Sequence, residues 1–304
     1  MIILKKGGIP ARDPFVFYHN DYFYRLYTTN ESLHVSKATT IKGLVDAEAV
    51  TVYVPEEGAP YGKEMWAPEL HVIDGKCYIY VAGDDGDNYN HRMYVLYNNS
   101  DDPQKPYTMY GKVVESADKW AIDQTVFSYN GELYTAWSGW EGDENVCQNI
   151  YLAKMSDPLH ISTDRVMIST PEYDWEKLGS SEHSPMINEG PFALQKNGKL
   201  FIIYSGAGSW CNHYCLGQLE FKGGDLLDPK NWAKSDKPVF MRNDKVNGPG
   251  HASFAVDTPE GDWMFYHAFQ DDDKGGWLKC NAIAQKFTFE NDMPVFGEPE
   301  TVED

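Results

Sequence analysis

Basic residues are scarce in this chain: 26 Lys and Arg stand against 46 Asp and Glu, which gives a formal net charge of −20. This excess of negative charge repels phosphate backbones and anionic lipid surfaces, so nucleic acids and membranes are poor candidate partners. Long apolar runs are missing too, at the N-terminus and elsewhere, so we expect a soluble, unanchored protein. A neutral or cationic ligand suits the composition better.

Cysteine is also sparse. The chain has five cysteines, an odd number without regular spacing, which argues against a disulfide framework and favours a reducing compartment. Cys211 and Cys215 lie close together, but the sequence lacks a second pair at zinc spacing, so we do not expect a zinc site. The cysteine content and the lack of a signal peptide predict a cytoplasmic location, and secretion after removal of a signal peptide is the alternative.

Helical periodicity is the third absence, because no window keeps an apolar stripe at i, i+3, i+4 and i+7. No linker rich in Pro, Gly or Ser divides the chain. Aromatic residues, in contrast, make up 14% of the sequence, with 20 Tyr, 14 Phe and 9 Trp. Aromatic side chains favour strands and also provide faces on which sugars stack. We expect a single all-β catalytic domain over residues 1–304.

A hairpin pattern recurs five times along the chain. Each copy begins with a stretch that alternates apolar and other residues, and most meet a tight turn such as Asn130-Gly131 before a second strand. The five copies begin at Asp13, Ala67, Asp123, Glu189 and His251. Units of more than fifty residues that each open with a hairpin predict the blades of a five-bladed β-propeller. They fit the alternative, a β-sandwich, poorly.

The first residues of these copies are expected to form a ring, because the innermost strand of each propeller blade lines the central channel. Four of the five are ionisable, and Ala67 is the exception. Burying carboxylates together costs free energy, and strongly perturbed carboxylates gather at functional sites. The ring therefore indicates a functional site on the axis. The alternative is a solvated mouth in which these polar groups cap strand ends.

The residues around the ring resemble family 43 of the glycoside hydrolases, from Arg12 to about Gly297. Each matching motif is short, and their order and spacing together carry the resemblance. The motifs are Arg12-Asp13-Pro14, Met65-Trp66-Ala67-Pro68-Glu69-Leu70-His71, Ile122-Asp123, Asn188-Glu189-Gly190-Pro191 and Gly248-Pro249-Gly250-His251. The resemblance also implies a five-bladed propeller, in agreement with the repeats.

The resemblance implies separate roles for three carboxylates: Asp13 as general base, Glu189 as general acid, and Asp123 as the residue that orients Glu189 and tunes its pKa. Acetal cleavage needs these residue types, because one carboxyl group protonates the leaving oxygen while another activates the attacking water. Carboxylates from different blades can stand roughly 6.5–9.5 Å apart, which leaves room for the water of an inverting enzyme. We therefore predict inversion.

Aromatic residues near the ring are candidate sugar contacts. The resemblance places Trp66 at the subsite that holds the cleaved sugar, where an aromatic face offers apolar contact. The alternative is that Trp66 is a core residue. Phe15, Trp140 and Trp210 are looser candidates of the same kind.

Two further expectations concern the fifth blade. In the family, the histidine that corresponds to His251 lies near a metal ion, often calcium, bound on the axis largely through water. The alternative is a histidine hydrogen-bonded beneath the carboxylates. We expect calcium as a structural ion and no organic cofactor. Many family members also have a substrate-binding arginine on a late strand of this blade, but residues 279–285 contain none. His267 or Gln285 is expected to take its place.

The motifs at residues 171–176, 188–191 and 248–251 resemble α-L-arabinofuranosidases most. We therefore predict an exo-acting enzyme that releases terminal arabinofuranose from arabinan or arabinoxylan oligosaccharides. A β-xylosidase and an endo-arabinanase of the same family are the nearest alternatives. A glycan-binding propeller without activity is another, although it would be expected to lose at least one catalytic carboxylate. A phosphorylase would need a basic phosphate pocket, and the sequence shows no cluster of basic residues.

Overall fold

The computed structural model describes residues 1–114, 116–179, 181, 184–270 and 277–301. Nearly all regular structure in these residues is β-strand, as the missing helical periodicity predicts. The helices found in them are single turns of 3₁₀-helix: Ile9–Ala11, Lys42–Val45, Asn88–Asn90, Asp174–Glu176, Pro229–Asn231 and Trp277–Lys279. None of these is long and apolar enough to cross a membrane.

The strands form five blades, each of which begins with its innermost strand. After strand β1 (Ile2–Lys6), blade 1 contains β2 (Phe15–His19), β3 (Tyr22–Thr28), β4 (Leu33–Ala38) and β5 (Ala49–Tyr53). Blade 2 contains β6 (Lys63–Ile73), β7 (Lys76–Asp84), β8 (Arg92–Asn98) and β9 (Thr108–Lys112). Blade 3 contains β10 (Ala121–Tyr129), β11 (Glu132–Gly139) and β12 (Cys147–Asp157), with β13 (His160–Ile161) and β14 (Val166–Ser169) both paired to β12.

The last two blades follow the same plan. Blade 4 contains β15 (Met186–Lys196), β16 (Lys199–Gly206), β17 (Cys215–Phe221) and β18 (Trp232–Lys234). Blade 5 contains β19 (Val246–Thr258), β20 (Gly261–Gln270) and β21 (Asn281–Lys286), and β1 is its outermost strand. A separate hairpin is formed by β22 (Thr288–Glu290) and β23 (Met293–Val295).

The blades close into a ring. The innermost strands β2, β6, β10, β15 and β19 each contact the next, and β19 contacts β2 again. Strand β1 pairs with β21, so the start of the chain completes the last blade. This arrangement is a five-bladed β-propeller, which confirms the fold predicted from the repeats.

The hydrophobic core lies between neighbouring blades rather than in one central mass. Leu26 and Val35 of blade 1 pack with Ile79 of blade 2, and similar buried clusters fill the other interfaces around the ring. Each fully buried aliphatic side chain contributes about 1.5–3 kcal/mol. The alternation of apolar residues in the inner strands therefore stabilises the ring itself, and with it the positions of the residues on the axis.

The inner strands share a backbone feature at the ring. A left-handed φ occurs at Asp13 (46°), Ala67 (43°), Asp123 (59°), Gly190 (55°) and His251 (49°). Strained backbone of this kind is found where a structure fixes functional groups. The predicted ring position in blade 4 was wrong by one residue, because Gly190, and not Glu189, has the equivalent conformation.

The turn that follows explains this difference. Asn197 in the blade 4 turn follows Gly190 at the same interval at which Asn130 follows Asp123, and both turn residues have positive φ. Aligning the copies on the acidic residue Glu189 therefore adds one residue between the ring position and the turn in blade 4. Glu189 precedes the bend, and its side chain reaches the axis from one position earlier.

Candidate active site

A cavity of about 460 Å³ lies on the axis of the propeller. Its lining includes Asp13, Trp66, Asp123, Glu189 and His251, one from each blade. Its size is within the range of small-molecule sites, and a few polar groups converge in it. The structure therefore brings together the three predicted catalytic carboxylates, Trp66 and the predicted metal-binding histidine.

Asp13 is surrounded by cationic and imidazole groups. Its Oδ1 lies 3.2 Å from Nδ1 of His251, 3.3 Å from Nδ1 of His267 and 4.0 Å from Nε of Arg12. Burial alone would raise the pKa of Asp13, but these neighbours outweigh burial and lower it well below its ordinary value. Asp13 is therefore an ionised carboxylate at neutral pH, as a general base must be.

Glu189 is only 7% exposed and accepts a hydrogen bond at Oε1 from the hydroxyl of Tyr214, over 2.8 Å. Burial raises the pKa of Glu189 to about 7, Asp13 adds to the rise, and Tyr214 and Arg12 oppose it. A carboxyl group with this pKa holds a proton near neutral pH and can deliver it to a leaving oxygen. The predicted base, Asp13, and the predicted acid, Glu189, therefore lie in opposite electrostatic environments within one cavity.

Asp123 connects blade 3 to the backbone beside Glu189. It is 5% exposed, and its Oδ2 accepts the backbone N–H of Gly190 over 2.9 Å. Burial, followed by repulsion from Glu189 and Asp13, raises the pKa of Asp123 well above its ordinary value. Its position suits the predicted role, because its hydrogen bond fixes the residue after Glu189 and the repulsion between the two carboxyl groups disfavours ionisation of both at once.

Gly190 is required where the ring closes on His251. A Cβ at Gly190 would lie 3.1 Å from Nδ1 of His251, and the φ of 55° already disfavours a side chain. His251 is held from the other side, since its backbone N–H donates to Oγ of Ser205 over 2.8 Å. The glycine of the Asn188-Glu189-Gly190-Pro191 motif therefore makes room for the histidine on the axis.

The predicted calcium ion has little protein to bind it. Across the described part of the chain, no three His, Cys, Asp or Glu side chains are arranged to hold a metal. His251 directs its Nδ1 towards Asp13, and calcium prefers six to eight oxygen ligands. Calcium held largely by water stays a prediction.

Asn188, immediately before Glu189, is part of a buried polar network. Its Nδ2 donates to Oε1 of Glu176 over 2.8 Å, and the same oxygen lies 2.6 Å from Nζ of Lys234. The hydroxyl of Tyr204 also donates to it over 2.9 Å. Glu176 belongs to the segment at residues 171–176 that resembles arabinofuranosidases, and here it supports the strand that carries Glu189.

Two aromatic predictions agree with the cavity. The indole of Trp66 is fixed by a hydrogen bond from Nε1 to Oε2 of Glu64 over 2.9 Å, and its ring centroid lies 4.1 Å from that of His91. Trp210 lines the cavity while 39% of it is exposed. Both residues therefore offer aromatic surface to a ligand.

Two other aromatic predictions were wrong. Phe15 is 4% exposed and packs against Phe192 in the core. Trp140 is 1% exposed and stacks on Trp120 with ring centroids 4.6 Å apart and planes at 10°. Trp120 reaches the cavity, and Trp140 lies outside its lining. Neither Phe15 nor Trp140 has a face left for a sugar.

The predicted substitutes for the missing arginine were also wrong. His267 is fully buried, and its Nδ1 accepts the backbone N–H of Asp13 over 3.2 Å. It therefore supports the base from behind. Gln285 lies in the third strand of blade 5, where it accepts from Tyr266 and donates to the backbone oxygen of Glu298. It lies outside the lining of the cavity.

Three residues at the candidate site were not predicted from the sequence: Arg12, Trp120 and Tyr214. Arg12 lines the cavity, so a guanidinium comes from blade 1 although the late strand of blade 5 has none. The Arg12-Asp13-Pro14 motif contained that signal. Trp120 and Tyr214 lie outside the repeated hairpins, and no local pattern marks them.

Comparisons with known proteins support the site. The sequence model of glycosyl hydrolases family 43 matches residues 9–294. An extracellular exo-α-(1→5)-L-arabinofuranosidase of Streptomyces chartreusis is 34% identical over 85% of this chain and 80% of its own length. A protein of the same description from Streptomyces avermitilis is 36% identical over 84% of this chain, which spans about half (54%) of that relative.

A solved structure extends the likeness to the fold. The crystal structure of α-L-arabinofuranosidase from Lactobacillus brevis superimposes with a TM-score of 0.87 at 33% identity, over 98% of this chain and 95% of that one. Family match, sequence identity and fold agree over nearly the whole chain. The chain belongs to family 43 of the glycosyl hydrolases.

Proposed function

We propose that this protein is an inverting, exo-acting α-L-arabinofuranosidase that releases terminal arabinofuranose from arabinan or arabinoxylan oligosaccharides. The observation that carries the proposal is the pairing of Asp13, whose pKa is lowered, with Glu189, whose pKa is raised to about 7, in one cavity. The named activity of the relatives supports the choice of sugar.

The proposed mechanism follows from the two environments. Asp13 accepts a proton from a water molecule that attacks the anomeric carbon, while Glu189 donates its proton to the leaving glycosidic oxygen. Asp123 holds the backbone at Gly190, and the repulsion between its carboxyl group and that of Glu189 disfavours ionisation of both at once. The imidazole of His267 fixes Asp13 through its backbone N–H.

The relatives described as exo-acting support exo action. Residues from all five blades surround the cavity. Neutral amides, among them Asn30, Asn88 and Asn145, line its walls. These groups suit the hydroxyls of an uncharged oligosaccharide.

The compartment is a separate prediction. All five cysteines are free thiols, which supports the predicted cytoplasmic location. The Streptomyces relatives, in contrast, are described as extracellular. Immunoblotting of cytosolic and secreted fractions from the source cells decides between the two.

The test of the proposed function is a comparison of two substrates. Hydrolysis of an aryl α-L-arabinofuranoside at a kcat/KM at least tenfold above that of the matching aryl β-D-xyloside is expected. The reverse preference would identify a β-xylosidase. No hydrolysis of either, with retained oligosaccharide binding, would indicate a glycan-binding propeller. Product sizes from linear arabinan separate exo from endo action, since exo action yields only the monosaccharide at early times.

A further inference from the structure

The predicted acid and base are connected by two stacked rings. The rings of Tyr214 and His267 are stacked with an offset, with centroids 5.4 Å apart and planes at 9°. The Tyr214 hydroxyl donates to Oε1 of Glu189 over 2.8 Å, and Nδ1 of His267 accepts the backbone N–H of Asp13 over 3.2 Å. One ring of the stack therefore contacts Glu189, and the other contacts Asp13.

A glycine in blade 5 leaves room for the stacked rings of Tyr214 and His267. Gly250 lies opposite His267 in the pairing of β19 with β20, and a Cβ at Gly250 would come within 2.3 Å of the Tyr214 ring. Tyr214 and His267 are both fully buried. The glycine before His251 is therefore needed so that Tyr214 can lie flat against its partner.

The hydroxyl of Tyr214 donates its proton to Oε1 of Glu189 over 2.8 Å. A phenol carries this proton at neutral pH, and burial raises the pKa of Tyr214 further. Oε1 of Glu189 is then occupied by a donor in both protonation states of the acid.

We propose that Tyr214 is a positioning residue of the general acid: its hydroxyl holds Oε1 of Glu189, so the transferable proton lies on Oε2. Its ring, stacked on His267, holds Glu189 at a fixed distance from Asp13. This inference rests on the proposed function for the identity of the acid. It gives a function to the segment immediately before β17, a segment that lies outside the repeated hairpins.

The charges that face Glu189 set the direction of the expected effect. Apart from Tyr214, they are Arg12 and Asp13 ahead of β2, Asp123 in β10 and the thiol of Cys211. Only Tyr214 donates a hydrogen bond to the Glu189 carboxylate among the contacts described above. Such a bond stabilises the ionised acid, so its loss raises the pKa of Glu189. The basic limb of the pH–kcat profile then moves to higher pH.

Tyr214→Phe tests the proposal, because it removes the hydroxyl and keeps the ring. A hydrogen bond to a charged group supports a shift of about one pH unit in the basic limb. Turnover of phenyl α-L-arabinofuranoside is expected to fall about 10- to 100-fold, because its leaving group needs a well-placed proton. The 2,4-dinitrophenyl substrate should lose far less, since its phenolate leaves without protonation.

Tyr266→Phe is the matched control. Tyr266 is a buried neighbour of His267 whose hydroxyl donates to Gln285 over 2.8 Å, away from the cavity. The variant Tyr266→Phe should lose about as much stability as Tyr214→Phe. Its pH profile and its dependence on the leaving group should stay those of the wild type. An equal loss on both substrates with an unmoved basic limb in Tyr214→Phe would overturn the proposal, as would the same behaviour in both variants.

A second variant and a direct titration separate this proposal from the proposed function. Gly250→Ala displaces the Tyr214 ring without removing its hydroxyl, and it should shift the basic limb in the same direction. A carbon-13 NMR titration of Glu189, assigned with Glu189→Gln, needs no substrate. An upward pKa shift in Tyr214→Phe supports the proposal even if the wild type cleaves no arabinofuranoside. An unchanged Glu189 pKa refutes it whatever the substrate.

Discussion

The backbone N–H of Gly190 donates to Oδ2 of Asp123 over 2.9 Å. This bond joins blades 3 and 4 at the residue immediately after Glu189. The predicted modulator therefore meets the acid in two ways, through repulsion between the two carboxyl groups and through the backbone that carries the acid. The two contributions are separable, because an amide at position 123 keeps an acceptor and loses the charge.

Asp123→Asn is expected to lower the pKa of Glu189, since it removes the carboxyl group that, when ionised, repels the charge of Glu189. The acid then loses its proton at lower pH, so the basic limb of the pH–kcat profile moves down, opposite to the shift expected for Tyr214→Phe. Asp123→Ala should also lose the bond to Gly190 and reduce kcat further. Steady-state kinetics from pH 4 to 9 check both, and an unmoved limb in Asp123→Asn would contradict the modulator role.

Asp13→Asn and Glu189→Gln should each reduce kcat by about 10²- to 10⁴-fold, the usual contribution of general acid–base catalysis. Both amides preserve volume, so circular dichroism and thermal unfolding should still show a folded propeller. Asp74→Asn is the control: Asp74 also has a left-handed φ but lies exposed in the blade 2 turn. Near-normal turnover in either active-site variant would refute its assigned role.

Much of the fold was predictable because its signals are local. The turn at Asn130-Gly131 and the alternation in the strands beside it depend on neighbouring residues only, and their repetition gave the blade count. Acidic residues in register also located Asp13 and Asp123. The one-residue error in blade 4 arose because the repeats were aligned on their acidic side chains. The backbone conformation sets the register of the repeats, and it places Gly190 rather than Glu189 at the ring position.

The rest of the site depends on contacts between distant parts of the chain. Trp140 and Trp120 are equally plausible sugar contacts by composition, and only their stacking decides that Trp120 reaches the cavity. Tyr214 meets Glu189 because Gly250 of another blade leaves room for its ring. Such packing has no signature within a single hairpin.

Gly190→Ala should cost both stability and activity. The left-handed φ costs a side chain about 1–2 kcal/mol, and the new Cβ would press on the ring of His251 at 3.1 Å. Gly131→Ala is the matched control, since Gly131 has a φ of 80° and nothing lies near its Cβ position. Urea unfolding should show a loss in both variants, but only Gly190→Ala should lower kcat. Normal kcat in Gly190→Ala would show that the ring tolerates displacement.

The buried pair of Glu176 and Lys234 should stabilise the strand that carries Glu189. Removing one partner of such a pair leaves the other charge buried, at a cost of about 3–5 kcal/mol. Lys234→Met should therefore lower the free energy of unfolding strongly. Lys63→Met is the control, because its salt bridge to Glu31 is exposed and its loss should leave unfolding unchanged. Equal urea midpoints for the two variants would show that the buried network adds no stability.

The stereochemistry of the first product tests the central claim most directly. Proton NMR during hydrolysis of an aryl α-L-arabinofuranoside distinguishes the anomers before they equilibrate. If Asp13 activates a water opposite the leaving group that Glu189 protonates, β-L-arabinofuranose appears first. Early accumulation of the α-anomer would mean that a carboxylate attacks the sugar itself, and it would contradict the assignment of Asp13 as a general base.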